Sequence, residues 1–230
     1  MLFSLGPRLA LCAQLVRPDR ALIDVGTDHA YLPIWLLLSG KSPRAVACDI
    51  NPGPLESAAR HAKQYGVADR LALVRSDGLK KLGPEDGDEI VIAGMGGELI
   101  LEIVSQASWL RDPAKRLVLQ PMSTPGRLRL GLSALGFQVL EEFPAQDSGK
   151  IYSAFSVAYA GQPQPAGELY PYMGRLTPGG KDVEKYGEKV ILGLKKQALG
   201  AGHRGDREKQ ETLENVIQEI QRQYLLGDKA

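Results

Sequence analysis

Apolar runs alternate with helical patterns through the first 160 residues of the chain. Five short runs are apolar at nearly every position, at 21–25, 45–49, 71–75, 89–93 and 116–120. A strand that is covered on both faces has this continuous apolarity, so each run predicts a buried parallel strand.

Helical patterns separate these strands. They cover residues 32–39, 54–65, 98–107 and 125–135. In the third helix the spacing of Leu99, Ile100, Ile103 and Val104 predicts one apolar side that lies on the sheet.

Two further apolar runs, 137–143 and 151–160, have no helical pattern between them and predict a terminal hairpin. Alternating strands and helices build a right-handed, doubly wound sheet, which binds ligands at the carboxyl ends of its strands. We therefore predict an α/β domain with a doubly wound sheet over residues 1–160.

The remaining residues, 161–230, predict a linker followed by a helical domain. Residues 161–180 are rich in Pro and Gly and cannot form one regular element. Residues 181–199 and 206–226 predict two helices, and the intervening 200–205 is short enough to fold them back as an antiparallel pair.

Composition excludes several classes of protein. The 230 residues are 43% hydrophobic, and 28 Lys and Arg nearly balance 27 Asp and Glu, so bulk charge does not predict a nucleic-acid partner. The apolar stretch 31–38 is too short to span a membrane. Cys12 and Cys48 lie in apolar runs without a metal-binding pattern. We expect buried thiols, no metal, and a cytoplasmic location.

The turn after the first strand, from Asp24 to Tyr31, carries the most informative chemistry. It has Gly26 but lacks the GxGxxG pattern, and Asp24 and Asp28 would repel a pyrophosphate. These acids suit a cationic ligand such as the sulfonium of S-adenosylmethionine. The alternative is a structural one, in which Thr27 or Asp28 caps the next helix.

The next strand ends continue this acidic series. Asp49 can accept both hydroxyls of a ribose, and Asp77 can receive an adenine amino group, although an acid at a strand end is also a common turn former. After the fourth strand, the glycines of 93–98 either let a ligand approach the backbone or simply begin the next helix.

The order of these features resembles that of a class I, Rossmann-like S-adenosylmethionine-dependent methyltransferase. More closely, DVGTDHAYLPI, SDGL, IAGMGGELI, LQPM and DSGKIY, at 24–34, 76–79, 92–100, 119–122 and 147–152, resemble the TrmK family of bacterial tRNA (adenine-22-N1)-methyltransferases. The resemblance covers residues 4–160 and implies S-adenosylmethionine as cofactor, tRNA as partner, and a C-terminal coiled-coil-like domain. It also implies the cofactor-binding residues Asp24, Gly26, Thr27, Asp49, Ile50, Asn51, Asp77, Gly78, Gly94 and Met95.

Methylation of adenine N1 predicts further roles. Asp28 is the candidate for electrostatic stabilisation, and His29 and Tyr31 are candidates for hydrogen bonding to the base and stacking on it. Alternatively, His29 braces the loop and Tyr31 is a core aromatic residue. Turning the base out of its stack requires energy from phosphate contacts. The candidate cations are Lys80, Lys81, Arg127, Arg129, Lys150, Lys195, Lys196, Arg204 and Arg207.

Three other functions fit parts of the sequence. A methyltransferase of a small molecule or protein would have the same cofactor motifs and use the helical pair for dimerisation. A nucleotide-dependent oxidoreductase is disfavoured by the missing GxGxxG, and a non-catalytic RNA-binding protein by the acids at all three strand ends. The sequence does not determine the oligomeric state.

Overall fold

The computed structural model describes residues 3–164 and 167–225. Seven strands form one mixed sheet: β1 Leu22–Val25, β2 Ala45–Asp49, β3 Leu71–Arg75, β4 Glu89–Gly96, β5 Arg116–Ser123, β6 Phe137–Asp147 and β7 Lys150–Tyr159. Their order is β3-β2-β1-β4-β5-β7-β6; the first five in the chain are parallel, and β7 runs antiparallel to both β5 and β6. The predicted doubly wound sheet and terminal hairpin are confirmed.

The α-helices of the described residues are α1 Pro7–Leu15, α2 Tyr31–Leu38, α3 Pro52–Gln64, α4 Gly97–Gln106, α5 Pro125–Ala134, α6 Tyr170–Met173, α7 Lys181–His203 and α8 Arg207–Ile220. The first five cover both faces of the sheet, whereas α8 packs on α7. Alternate strand residues point to opposite faces. Leu22 of β1 thus packs in the cluster that contains α1, α2 and α3, whereas Ile23 packs in the cluster that contains α4 and α5.

Two local predictions need correction. Leu99 of α4 is 48% exposed, because the buried side of that helix is narrower than predicted and consists of Ile100, Ile103 and Val104. Helix α1 was missed, since its apolar residues follow one another without helical spacing. Its Cys12 is buried, as is Cys48, and burial raises the pKa of each thiol to about 12.

The predicted helical pair is present, but its turn is shorter than predicted. Helix α7 continues through Gly200 and Gly202 to His203, so most of the predicted turn is helical. Asp206 then caps α8 by accepting a hydrogen bond from the Lys209 amide at 3.2 Å. A π-helical turn, Gln221–Leu225, follows α8, and the predicted end of this helix at residue 226 lies outside the described residues.

A buried polar network joins the helical pair to the sheet. Arg129 of α5 forms an ion pair with Glu142 of β6, and also donates to the Tyr186 hydroxyl of α7 at 3.0 Å. The Arg175 amide donates to the same carboxylate at 3.0 Å. Arg129 is fully buried, so its prediction as a phosphate ligand is wrong.

Candidate functional site

A cleft of about 290 Å³ lies at the carboxyl edge of the sheet, between β1 and β4. Predicted site residues line it together: Asp24, Gly26, Thr27, Asp28, His29, Tyr31 and Gly94. A larger cavity of about 710 Å³ lies elsewhere, between β6, residue Gln164, residues 167–176 and the end of the helical pair. Of these two, the smaller cleft contains the predicted cofactor-binding and catalytic residues.

Asp24 is the buried acid of the cleft, with 7% of its surface exposed. Burial raises the pKa of this carboxyl to about 6; the nearby Thr27 side chain opposes the rise, and the Asp49 carboxylate adds to it. A carboxylate that is removed from water is stabilised by a cation that enters the same space. Asp24 therefore favours a positively charged ligand.

Gly26 makes the tight turn that follows β1. It adopts φ 75°, and its amide and that of Thr27 both donate to the Cys48 carbonyl, at 2.8 and 3.0 Å. A Cβ at Gly26 would lie 2.0 Å from the Met95 methyl carbon. Both the backbone conformation and the close approach of Met95 thus require glycine here.

Sequence reasoning missed two residues of the site, Arg8 and Gln120. The Gln120 side-chain oxygen accepts from the Gly94 amide at 3.2 Å and from the Arg8 guanidinium at 2.7 Å. Arg8 also pairs with Asp147 at the tip of the β6–β7 hairpin, at 3.1 Å. Gln120 and Asp147 lie in the quoted motifs LQPM and DSGKIY, which could have drawn attention to them. Arg8 lies on the helix that was not predicted.

The second acid, Asp49, ends β2 beside β1. Its carboxylate is partly exposed and accepts a hydrogen bond from the Asn51 amide at 2.7 Å. Ile50, between them, is exposed. An apolar side chain next to a carboxylate at a strand end can hold a nucleoside by its ring face and its ribose together.

The third acid, Asp77, follows β3 and is exposed at the same edge, where it pairs with Lys80. Gly78 adopts φ 55° and lies against Ile103 of α4. Because β3, β2 and β1 are neighbours in the sheet, the three acids occur in spatial as well as sequence order. The structure does not place Asp49 or Asp77 in the lining of the smaller cleft.

The turn before α2 is not closed by a side-chain cap. Ala30 is the N-cap, in a left-handed conformation with φ 56°, and no side chain bonds to the first turn. The capping alternative for Thr27 and Asp28 is therefore wrong. The Thr27 hydroxyl is buried beside the Asp24 carboxyl, and the Asp28 side chain is 83% exposed.

An aromatic cluster borders the cleft and consists of Phe3, His29, Tyr31, His61 and Tyr65. Tyr31 is 39% exposed, so the alternative that it is a core residue is wrong. The His29 ring lies 5.5 Å from the Tyr31 ring, and its Nε2 is 3.5 Å from an Asp28 carboxylate oxygen. The predicted catalytic residues are therefore adjacent and accessible from the cleft.

The predicted phosphate-binding cations differ in their surroundings. Lys80 and Arg127 are exposed but paired, with Asp77 and Glu98 respectively. Exposed positions are also occupied by Lys81, Lys150, Lys195, Lys196, Arg204 and Arg207. Lys195 and Lys196 are consecutive residues of α7 and add positive charge to the surface of the helical pair.

Neither a metal site nor a membrane span is found in the part of the chain that the structure describes. Over residues 3–164 and 167–225, no three His, Cys, Asp or Glu side chains are grouped so as to hold a metal ion. No helix in the same ranges is long and apolar enough to cross a membrane.

Comparison with known proteins places this geometry in context. Residues 5–155 match a family described as methyltransferase domain. The chain is 33% identical over 158 residues to a tRNA (adenine(22)-N(1))-methyltransferase of Bacillus subtilis. That alignment covers 69% of this chain and 66% of the Bacillus protein, just under two thirds of its length.

Solved structures extend the likeness into the helical pair. A Streptococcus pneumoniae protein in complex with S-adenosyl-L-methionine superposes with a TM-score of 0.76 at 27% identity, covering 93% of this chain and 100% of that one. M. capricolum TrmK with S-adenosyl-homocysteine superposes with a TM-score of 0.78 at 24% identity, covering 96% and 98%. The shared fold therefore includes both the sheet and the C-terminal helices.

Proposed function

Because this chain belongs to the methyltransferase-domain family, and within it to the TrmK family, we propose that it transfers a methyl group from S-adenosylmethionine to N1 of adenine 22 in bacterial tRNA. The residues of the cleft fit that cofactor. Gly94, with φ 80°, leaves the backbone open to a ligand, and the Thr27 hydroxyl is buried next to the Asp24 carboxyl.

Charge supports the same fit. S-adenosylmethionine carries a sulfonium and an ammonium group, and Asp24 supplies a buried negative charge that a cation would stabilise. The cofactor also carries a carboxylate, for which Arg8 is the cation in the cleft lining. Asp147 and Gln120 hold the Arg8 side chain in place, so little entropy is lost when it binds the carboxylate.

The nucleoside part of the cofactor is assigned to the neighbouring strand ends. Asp49 would accept the ribose hydroxyls, and Ile50 would cover one face of the adenine. Asp77 would meet the adenine edge after it exchanges its contact with Lys80. This exchange costs little, because exposed ion pairs are worth at most about 1 kcal/mol.

The cofactor supplies an electrophilic methyl group, and adenine N1 has an in-plane lone pair, so the protein need not remove a proton. Its residues have to hold the base in line and to stabilise the positive charge that develops on the ring. Asp28 can supply negative potential, His29 a hydrogen bond, and Tyr31 a stacking surface. Their proximity at the mouth of the cleft supports these roles.

We assign tRNA binding to the helical part of the chain, 161–230, and the cofactor to residues 1–160. Adenine N1 lies on the pairing edge of the base, which must therefore leave its stack at a cost of a few kcal/mol. Phosphate contacts from Lys195, Lys196, Arg204 and Arg207 would offset that cost. Their exposure on one helical pair supports this division.

The observation that carries the proposal is the buried Asp24, which favours a cation directly beneath the turn that presents Asp28, His29 and Tyr31. The test is methyl transfer from labelled S-adenosylmethionine to unmodified bacterial tRNA, with the modified nucleoside identified by mass. We expect 1-methyladenosine at position 22, and no product from a tRNA that has guanine there.

Two variants make this test specific. Asp28→Asn should lower kcat about 100-fold, since it removes a charge near the developing cation. Asp69→Asn is the matched control, because Asp69 is an exposed acid that precedes β3 at the opposite edge of the sheet. Cofactor binding without methylation of any tRNA would contradict the proposed substrate and favour a small molecule or a protein instead.

A further inference from the structure

His61 lies on α3, outside the lining of the cleft, yet it contacts His29 and Tyr31, two residues of the turn between β1 and α2. Its Nδ1 is 3.0 Å from the His29 carbonyl oxygen, and its ring stacks on Tyr31 with centroids 5.0 Å apart and planes at 24°. Because a carbonyl oxygen only accepts hydrogen bonds, Nδ1 of His61 carries a proton and donates it. One side chain thus holds both the backbone and the ring of this turn.

The backbone that His61 holds is strained. Ala30, directly after the carbonyl that accepts the bond, has φ 56° and ψ 26°. Residues with a Cβ adopt this left-handed conformation only at an energetic cost. Since no side chain caps α2, the bond from His61 is a tertiary contact that stabilises the turn from a neighbouring helix.

The ring that His61 holds is the one that is open to a ligand. Tyr31 lines the cleft and is partly exposed, although His61 stacks on it and Phe3 packs against it edge-on, with centroids 5.7 Å apart. An aromatic ring whose orientation is already fixed loses little conformational entropy when a base stacks on it. Held in this way, Tyr31 is a preorganised surface for an unpaired base.

We propose that His61 is a positioning residue for the tRNA base: it fixes Tyr31 in the orientation that receives the adenine. This inference rests on the proposed function and deepens it by assigning a residue that does not touch the cofactor cleft. His61 acts on the base rather than on the cofactor, because its contacts are with His29 and Tyr31 and not with the Asp24–Gly26 floor.

Three substitutions separate the two contacts. His61→Phe keeps a ring for stacking and loses the donor, His61→Gln keeps a donor and loses the ring, and His61→Ala loses both. Gln64→Ala, at an exposed position of the same helix, is the control. We expect His61→Ala to raise the KM for tRNA about 10-fold, with kcat and the Kd of S-adenosylmethionine nearly unchanged and with intermediate values for the other two.

A double-mutant cycle distinguishes positioning from a general structural role. In a Tyr31→Ala background, His61→Ala should have no further effect on the KM for tRNA, because the ring that it positions is absent. An unchanged KM in the single variant, or an equal rise in both backgrounds, would overturn the inference while leaving the proposed function intact. Failure of the wild-type protein to methylate tRNA would overturn the proposed function and this inference together.

Discussion

The guanidinium of Arg129 and the carboxylate of Glu142 form an ion pair whose two side chains are both fully buried. Burial lowers the pKa of Arg129, but Glu142 and Tyr186 outweigh it and hold that pKa above its ordinary value, so the guanidinium stays charged. Together with Tyr186, this ion pair joins α5, the edge strand β6 and α7, the first helix of the helical pair. The relative position of the two parts of the chain depends on this contact.

Removal of one partner should destabilise the protein strongly. Arg129→Met leaves the Glu142 carboxylate buried without a counter-charge, which costs about 3–5 kcal/mol. Urea unfolding measures the loss. Arg127→Met is the matched control, since Arg127 pairs with Glu98 at the surface and its loss should cost under about 1 kcal/mol. Similar losses for the two variants would contradict this role for the buried pair.

Asp24 makes stability depend on pH in a defined direction. Its pKa is raised from 3.8 to about 6 in the folded protein, so folding favours the protonated carboxyl. The contribution of this protonated carboxyl to the free energy of unfolding totals about 3 kcal/mol. It is fully present below pH 3.8 and is lost as pH rises through about 6. Asp24→Asn cannot ionise. Its stability relative to the wild type should therefore increase between pH 4 and 6 and then stay constant in denaturant titrations. A stability difference between the variant and the wild type that does not change with pH would contradict the raised pKa of Asp24.

The same carboxyl should make cofactor binding depend on pH with the opposite sign. A cation binds ionised Asp24, so the Kd of S-adenosylmethionine should rise about tenfold for each pH unit below about 6. Calorimetric titration between pH 5 and 8 measures it. Asp24→Asn should bind weakly at every pH, whereas Asp69→Asn should follow the wild type. A Kd of the wild type that does not change with pH would show that the cofactor does not contact the Asp24 carboxylate.

The exposed lysines of α7 should contribute to tRNA affinity only. Lys195→Ala with Lys196→Ala removes two candidate phosphate contacts, so the slope of log affinity against log salt should fall by about 1.4–1.8. Cofactor affinity should not change. Gln197→Ala, the next residue along the helix, is the control. Equal tRNA affinity for the wild type and the double variant in low salt would contradict phosphate contacts from these two lysines.

The strands were predicted well because a parallel strand that is buried on both faces needs apolar residues at consecutive positions. The acids were predicted at one edge of the sheet because the carboxyl ends of parallel strands meet there. The errors have a different origin. Arg129 looks like a surface cation in sequence, since its partner Glu142 comes from a distant strand. Arg8 and His61 reach the site across the fold, and no local pattern indicates such contacts.

The terminal hairpin also links the cleft to the helical pair. Strand β7 is the last in the chain but lies between β5 and β6, so β6 joins the sheet through β7. The hairpin carries Asp147, which pairs with Arg8 at the cleft, and Glu142, which pairs with Arg129, the residue that donates to Tyr186 of the helical pair. A substitution that displaces the hairpin from β5 should therefore disturb the support of Arg8 in the cleft and the anchor of the helical pair together.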